Sequence, residues 1–263
     1  MLALLNNLTI SNPQIESDQL LSMPIEEAEL VFQGYPTNKQ LEIISATRDP
    51  RKREELYYFV PDCTELIQLS STEDVLQILS TSLGTGYASI LIPCLSSDQF
   101  EEMMDIVIWK NGELDQKSLD IWLFELSLCD DEDLSRFLHR IDIGILASML
   151  RGRFEINSEF LALMIESGTI DPSSKEIQFK DDRSKHILEA VWAADENLFT
   201  RLLYEVFELD KEELTSEFDA SLEKAKEERD QRVEVRDRQM GIQVTEEQIL
   251  QTVDLKKLDL KDR

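Results

Sequence analysis

The stretch EERDQRVEVRDRQMG, residues 227–241, sets Arg229, Arg232 and Arg236 at helical spacing in a chain whose formal net charge is −27. Guanidinium groups stay charged and present rigid forks of N–H donors. Three on one helix face suit one kind of chemistry, the bidentate recognition of carboxylate or phosphate. Traced further, the face reads Phe218, Leu222, Ala225, Arg229, Arg232, Arg236, Met240, with steps of 4, 3, 4, 3, 4 and 4. It begins as a core face and turns to arginine. Glu228, Asp230, Glu234 and Asp237 stand among the four arginines of the window 228–238, so the patch carries no net positive charge.

Three arrangements fit this pattern. The arginines could decorate a solvated helix end with weak ion pairs. They could dock on carboxylates elsewhere in the chain, or form an open site for an anion or a phosphopeptide. Desolvation argues that Arg229 and Arg232 meet carboxylates of the same chain, because an unpaired buried charge costs several kcal/mol.

Other reactive side chains give weaker signals. His139 and His186 are the only histidines, and neither has a second ligand at zinc spacing. Cys63, Cys94 and Cys129 are odd in number and widely spaced, which suggests reduced, buried thiols with neither disulfide nor metal. The acidic run CDDEDL at 129–134 lacks the alternating ligands and central glycine of a calcium loop and reads as a helix cap. LGTGYAS, with Gly84 and Gly86, lacks the third glycine and the Lys-Ser/Thr of a phosphate loop and reads as a connection between helices. With two histidines and no Gly-x-Ser-x-Gly, nucleophilic triads find no support. Trp109, Trp122 and Trp192 are expected in the core. No catalytic, metal or cofactor residue is assigned.

The elements that carry these residues are expected to be helices. The chain has 263 residues, 42% of them hydrophobic, enough for a substantial core. Its 8 glycines and 7 prolines are too few for the tight turns of an all-β fold. The acidity repels phosphate backbones and anionic headgroups, which leaves another protein as the expected partner and disfavours nucleic acid. MLALLNNLTISNP has no basic n-region, and the apolar run ILIPCL is far too short to span a bilayer, so a cytoplasmic protein is expected.

Segments opening at Leu69, Leu95 and Leu128 each run from leucine through small or acidic cap residues into apolar 3–4 spacing, and their starts lie 26 and 33 residues apart. That is the scale of a helix pair. The expected fold is all-α, an irregular array of helical-hairpin repeats (an α-superhelix) with a long C-terminal helix and at most one short β-hairpin within 153–180. Helices are predicted near 71–83, 97–109, 115–128, 131–140 and 211–240. The organisation reads as a poorly ordered lead-in at 1–22, a helical repeat domain at 23–155, a junction at 156–182, a C-terminal helical region at 183–255 and a tail at 256–263.

The order of segments, from LSLCDDEDLSRFLHRIDIGILASML through ILEAVWAADENLFTRLLYEV to RDRQMGIQVTEEQIL, resembles a family of bacterial cytosolic helical-repeat proteins of unknown function over residues 25–255. The most specific part is 232–249, where the family resembles Arg…Arg-x-x-x-x-Gly-apolar-Pro before an acidic helix start. Arg236, Gly241 and Ile242 match, and Gln243 stands where proline is expected. Members are often longer than this chain, and the resemblance implies no activity. In repeat style alone the chain also resembles the superhelical cytosolic domain of magnesium transporters. Two functions are compatible with all of this: a non-catalytic protein-interaction or scaffold module, and an acidic helical domain that senses a ligand or a divalent cation.

Overall fold

The computed structural model describes residues 12–167, 175–209 and 215–240. Helices carry most of them, as the apolar spacing predicts, and the chain forms two compact units. The first runs up to Thr81 and includes Cys94–Ser96; the second comprises Ser82–Pro93 and the described residues from Ser97 onward. This division does not coincide with the one expected at 156–182.

The first unit holds α1 (Pro13–Leu20), α2 (Ile25–Gln33), α3 (Thr37–Ala46), α4 (Pro50–Tyr58), α5 (Thr64–Leu69) and α6 (Thr72–Leu79). Local chemistry sets the starts. Asn12, Asp49 and Ser71 each accept a backbone N–H of the first turn, and Pro13 and Pro50 sit where a helix has no use for an N–H. Residues 12–20, expected within a poorly ordered lead-in, are therefore helical from Pro13; Asn12 is a cap rather than a loop signal. Residues 1–11 lie outside the described residues. Phe32, Ile43, Leu56, Tyr57, Ile67 and Leu76 fill the core.

One buried cation organises this unit. Arg53 donates from Nε and Nη2 to the Thr47 carbonyl, at 3.0 and 2.9 Å, and from Nη1 to Asp74 Oδ1 at 2.6 Å. Thr47 caps the C-terminus of α3 and Asp74 lies in the first turn of α6, so one planar fork ties two helix ends. Arg53→Lys keeps the charge and loses the fork. It is expected to cost about 1–3 kcal/mol in chemical denaturation, and a stability equal to the parent would refute this role.

The second unit holds α7 (Ser97–Val107), β1 (Trp109–Lys110), β2 (Glu113–Leu114), α8 (Gln116–Leu126), α9 (Asp131–Leu138), α10 (Ile143–Leu150), β3 (Phe154–Ile156), α11 (Ser158–Ser167), β4 (Ile177–Phe179), α12 (Asp182–Ala194), α13 (Glu196–Leu209) and α14 (Thr215–Met240). The short hairpin expected within 153–180 is present: β4 pairs antiparallel with β3, Phe154 facing Phe179. A second hairpin, β1–β2, exceeds the single one expected. Its turn is Asn111-Gly112, with φ of 55° and 77°, the left-handed pair that a two-residue hairpin turn requires. The helix predicted over 97–109 consequently stops at Val107.

Leu119, Trp122, Leu123 and Leu126 of α8 are all buried, as their spacing predicts. Phe100 of α7 packs against Trp122 and Phe137 with ring centroids 6.1 and 4.4 Å apart. This cluster fixes α7, α8 and α9 together, and Leu188, Phe199, Leu202 and Leu203 extend the core across α12 and α13. None of the described helices is long and apolar enough to cross a membrane.

Candidate functional site

The arginine face of α14 lies against α7. Asp98, Glu101, Glu102 and Asp105 recur along α7 at helical spacing, opposite in charge to the stripe. Asp105 is only 4% exposed, in the last turn of that helix. Its Oδ2 accepts from Arg232 Nε at 3.0 Å and its Oδ1 from Arg232 Nη2 at 2.7 Å, a side-on fork. Arg236 Nη2 donates to the same Oδ2 at 3.0 Å. Arg229, 6% exposed, donates from Nε to the backbone carbonyl of Asp105 at 3.0 Å and from Nη1 to Asp230 Oδ1 at 2.9 Å. The last carbonyls of a helix have no partner within it, so Arg229 serves as a side-chain cap for α7. Glu101 and Glu102 stand 3.8 Å from Arg232 and Arg236. The hydrogen bonds to Asp105 raise the Arg232 guanidinium further above its already high ordinary value.

Of the three arrangements open to the stripe, this is the docked one. A cavity of about 230 Å³ lies beside the cluster, bordered by Trp109, His139, Arg140 and Asp142. The guanidinium forks facing it from α14 are turned toward Asp105, and Arg140 stands 3.6 Å from both Asp98 and Glu101. The cluster is thus charge-neutralised from within. Its chemistry is adhesion of α14 to α7. Ala225 of the same face is buried, the side chains of Phe218 and Met240 lie outside those described, and Gly241, Ile242 and Gln243 of the motif lie outside the described residues.

The glycine loop is more specific than its sequence suggests. Gly84 and Gly86 both have positive φ, 80° and 88°. The loop wraps its N–H groups around the fully buried carboxylate of Glu125 on α8: Gly86 N donates to Oε1 at 2.8 Å and Ser89 N to Oε2 at 3.2 Å. This is the cradle that glycine loops offer to phosphate, filled here by a side chain of the same chain. Burial pushes the Glu125 carboxyl up, and the N–H groups of Gly86, Gly84, Ser89 and Thr85 lower it without cancelling that effect. The cradle holds the loop so that Tyr87 and Ile90 point to water, 68% and 56% exposed. Leu128, 43% exposed, lies against Gly86. The exposed Asp130, Asp131 and Glu132 follow Leu128 after Cys129. The sequence reading takes LGTGYAS as a connection and CDDEDL as a cap, and gives Glu125, Ile90 and Leu128 no role.

The remaining candidates have local roles. Asp130 caps α9, accepting the Asp133 N–H at 2.9 Å, which is the cap chemistry expected of CDDEDL. His139 Nε2 lies 2.7 Å from Asp195 Oδ2. Burial alone would raise Asp195, but the Leu198 N–H and His139 hold it below the ordinary carboxylate range. Trp109 and Trp122 are buried, whereas Trp192, also expected in the core, is 37% exposed on α12. Among the described residues, no group of three or more His, Cys, Asp or Glu side chains is placed to hold a metal ion.

A protein-family model described as a family of unknown function (DUF6178) matches residues 32–163. The matched stretch contains α7, α8 and the glycine loop and ends before the arginine stripe. No curated protein and no solved structure matches the chain.

Proposed function

The chain belongs to the DUF6178 family, a family of unknown function, and from that premise we propose that it is a non-catalytic protein-interaction module. The observation that supports this reading is the loop of Tyr87 and Ile90. Large apolar side chains that project singly are ordinary on protein surfaces. Here two of them stand on a loop that a buried carboxylate holds in place, beside a third, Leu128, and next to exposed acids. A preorganised aromatic and aliphatic pair with a charged rim is the anatomy of an interaction hot spot. The partner that fits is a protein segment with apolar side chains to cover Tyr87 and Ile90 and lysines or arginines to face Asp130, Asp131 and Glu132. The net charge of −27 favours the encounter with such a basic segment. The irregular array of helical hairpins and a cytoplasmic setting belong to the same proposal.

A photo-reactive residue placed at position 87 in the full chain, within its native cells, tests it. The expected result is a discrete protein adduct that is lost on Ile90→Ser or Leu128→Asp. The same probe at exposed Tyr204 should not give that adduct. Absence of an adduct at 87, or an identical pattern from 204, would overturn the reading.

A further inference from the structure

In the first unit two cysteines meet that the sequence holds 31 positions apart. Cys63 Sγ and Cys94 Sγ are 3.7 Å from each other, both as reduced thiols. Cys63 is buried at the N-cap of α5, and its carbonyl is locked into the helix by the Ile67 N–H at 2.9 Å. Cys94 is half-buried and closes the short 3-10 turn Ile92–Cys94. Gln68 of α5 donates from Nε2 to the Cys94 carbonyl at 3.3 Å, which sets the Cys94 segment alongside the helix that Cys63 begins. The backbone on both sides is therefore anchored by contacts that do not involve sulfur. Bond formation needs the sulfurs to close from 3.7 Å to about 2.05 Å, a movement within reach of side-chain rotation.

We infer that Cys63 and Cys94 form a reversible disulfide, with a low-molecular-weight disulfide of the glutathione class as the oxidant. The Cys94 thiol, the more accessible of the two, loses its proton to solvent and attacks one sulfur of the oxidant. An S–S bond forms to Cys94 and one small thiolate leaves. Cys63 then gives up its proton and attacks Cys94 Sγ, expelling the second small thiolate. The protein loses two electrons, the oxidant gains two, and no atom of the oxidant is retained. The neighbouring Cys94 sulfur and burial push the Cys63 thiol up, so the second step accelerates with rising pH. Cys129 takes no part. It lies in the second unit with Sγ 3.6 Å from the Glu125 carbonyl, and burial pushes its thiol up to about 12.

The test equilibrates the full chain in glutathione redox buffers, alkylates it and counts thiols by intact mass. Loss of two thiols with retention of one is expected, together with a single cross-linked peptide joining residues 63 and 94. Closing a loop of this length constrains the unfolded chain, so the oxidised form should melt higher by about 5 °C or more. Reductant should restore the original melting temperature. Cys63→Ser and Cys94→Ser should each abolish the cross-link and the shift, while Cys129→Ser leaves both. Their melting in reducing buffer checks that the variants fold. Three free thiols in a buffer that oxidises a control dithiol, or a glutathione adduct on Cys94 that never resolves, would overturn the inference.

Discussion

Removing Arg232 and Arg236 together is expected to destabilise the protein by about 3–5 kcal/mol, more than removing the carboxylate they share. The asymmetry follows from which partner is buried. Asp105 is 4% exposed, so without the two guanidiniums its charge stays in the interior without the groups that bond it, and only Arg229, held by the Asp105 backbone carbonyl and by Asp230, remains nearby. The side chains of Arg232 and Arg236 are 40% and 22% exposed. In Asp105→Ala they can turn toward water or toward Glu101 and Glu102, and solvent screening limits the loss to about 1–3 kcal/mol. The triple variant, lacking all three side chains, should recover most of the double variant's loss, because it removes the stranded charge. Arg232→Ala alone should lower the melting temperature measurably. Arg229 lies outside this cycle, since its bond is to the Asp105 backbone carbonyl, which every variant keeps. Chemical denaturation of the full chain provides the comparison, with limited proteolysis of α14 as a second readout. A double variant within about 1 kcal/mol of the parent would mean that the ladder contributes little. A triple variant no more stable than the double would mean that Asp105 is not the stranded group.

Much of this arrangement could be read from residue types and spacing, and the parts that could not have identifiable causes. The arginine stripe was legible because helical spacing is local. Its complement was not read: Asp98, Glu101, Glu102 and Asp105 repeat at the same helical period, but an acidic stripe in an acidic chain does not stand out from its background. The hairpin at Trp109–Leu114 carries the Asn-Gly turn signal, but the apolar run Ile106–Trp109 continues from the helix into the first strand, so periodicity alone overran the helix end. Asn12-Pro13 reads equally as a loop and as a cap followed by a first-turn proline, and only packing of the helix decides between them. Trp192 shows the limit of apolar spacing, which says that a face is buried without saying which edge of it stays wet. The meeting of Cys63 with Cys94 is tertiary and has no local signature. The same holds for Glu125, one of 54 acidic residues, whose burial under the glycine loop nothing in its neighbourhood announces.

Glu125 is the second place where a large effect is expected, and its two substitutions should separate charge from hydrogen bonding. Glu125→Ala leaves the Gly86 and Ser89 N–H groups under the loop with no acceptor. A buried unsatisfied donor costs about 1–3 kcal/mol. For the two donors that is about 2–6 kcal/mol, part of which is offset because a desolvated charge disappears, so a net loss of about 2–4 kcal/mol is expected. The loop should loosen with it, and the cross-link from position 87 should weaken, because Tyr87 and Ile90 are then no longer preorganised. Glu125→Gln keeps an acceptor for Gly86 and carries no charge. It should cost less and retain the cross-link. The two proteins should also differ in pH dependence, in a direction fixed by the raised carboxyl. A carboxyl whose folded value lies above its unfolded value binds more protons folded than unfolded in the interval between them. Stability from this group is therefore greatest below the unfolded value and falls as pH rises through the window up to the folded one. The stability of the parent minus that of Glu125→Gln should accordingly decrease with rising pH across that window and level off above it. The subtraction removes the other carboxylates, including Asp115 and Asp195, whose lowered values act in the opposite sense. A difference that grows with pH would show that the N–H cradle, rather than burial, dominates the Glu125 carboxylate. An alanine variant as stable as the parent would show that the loop does not depend on it.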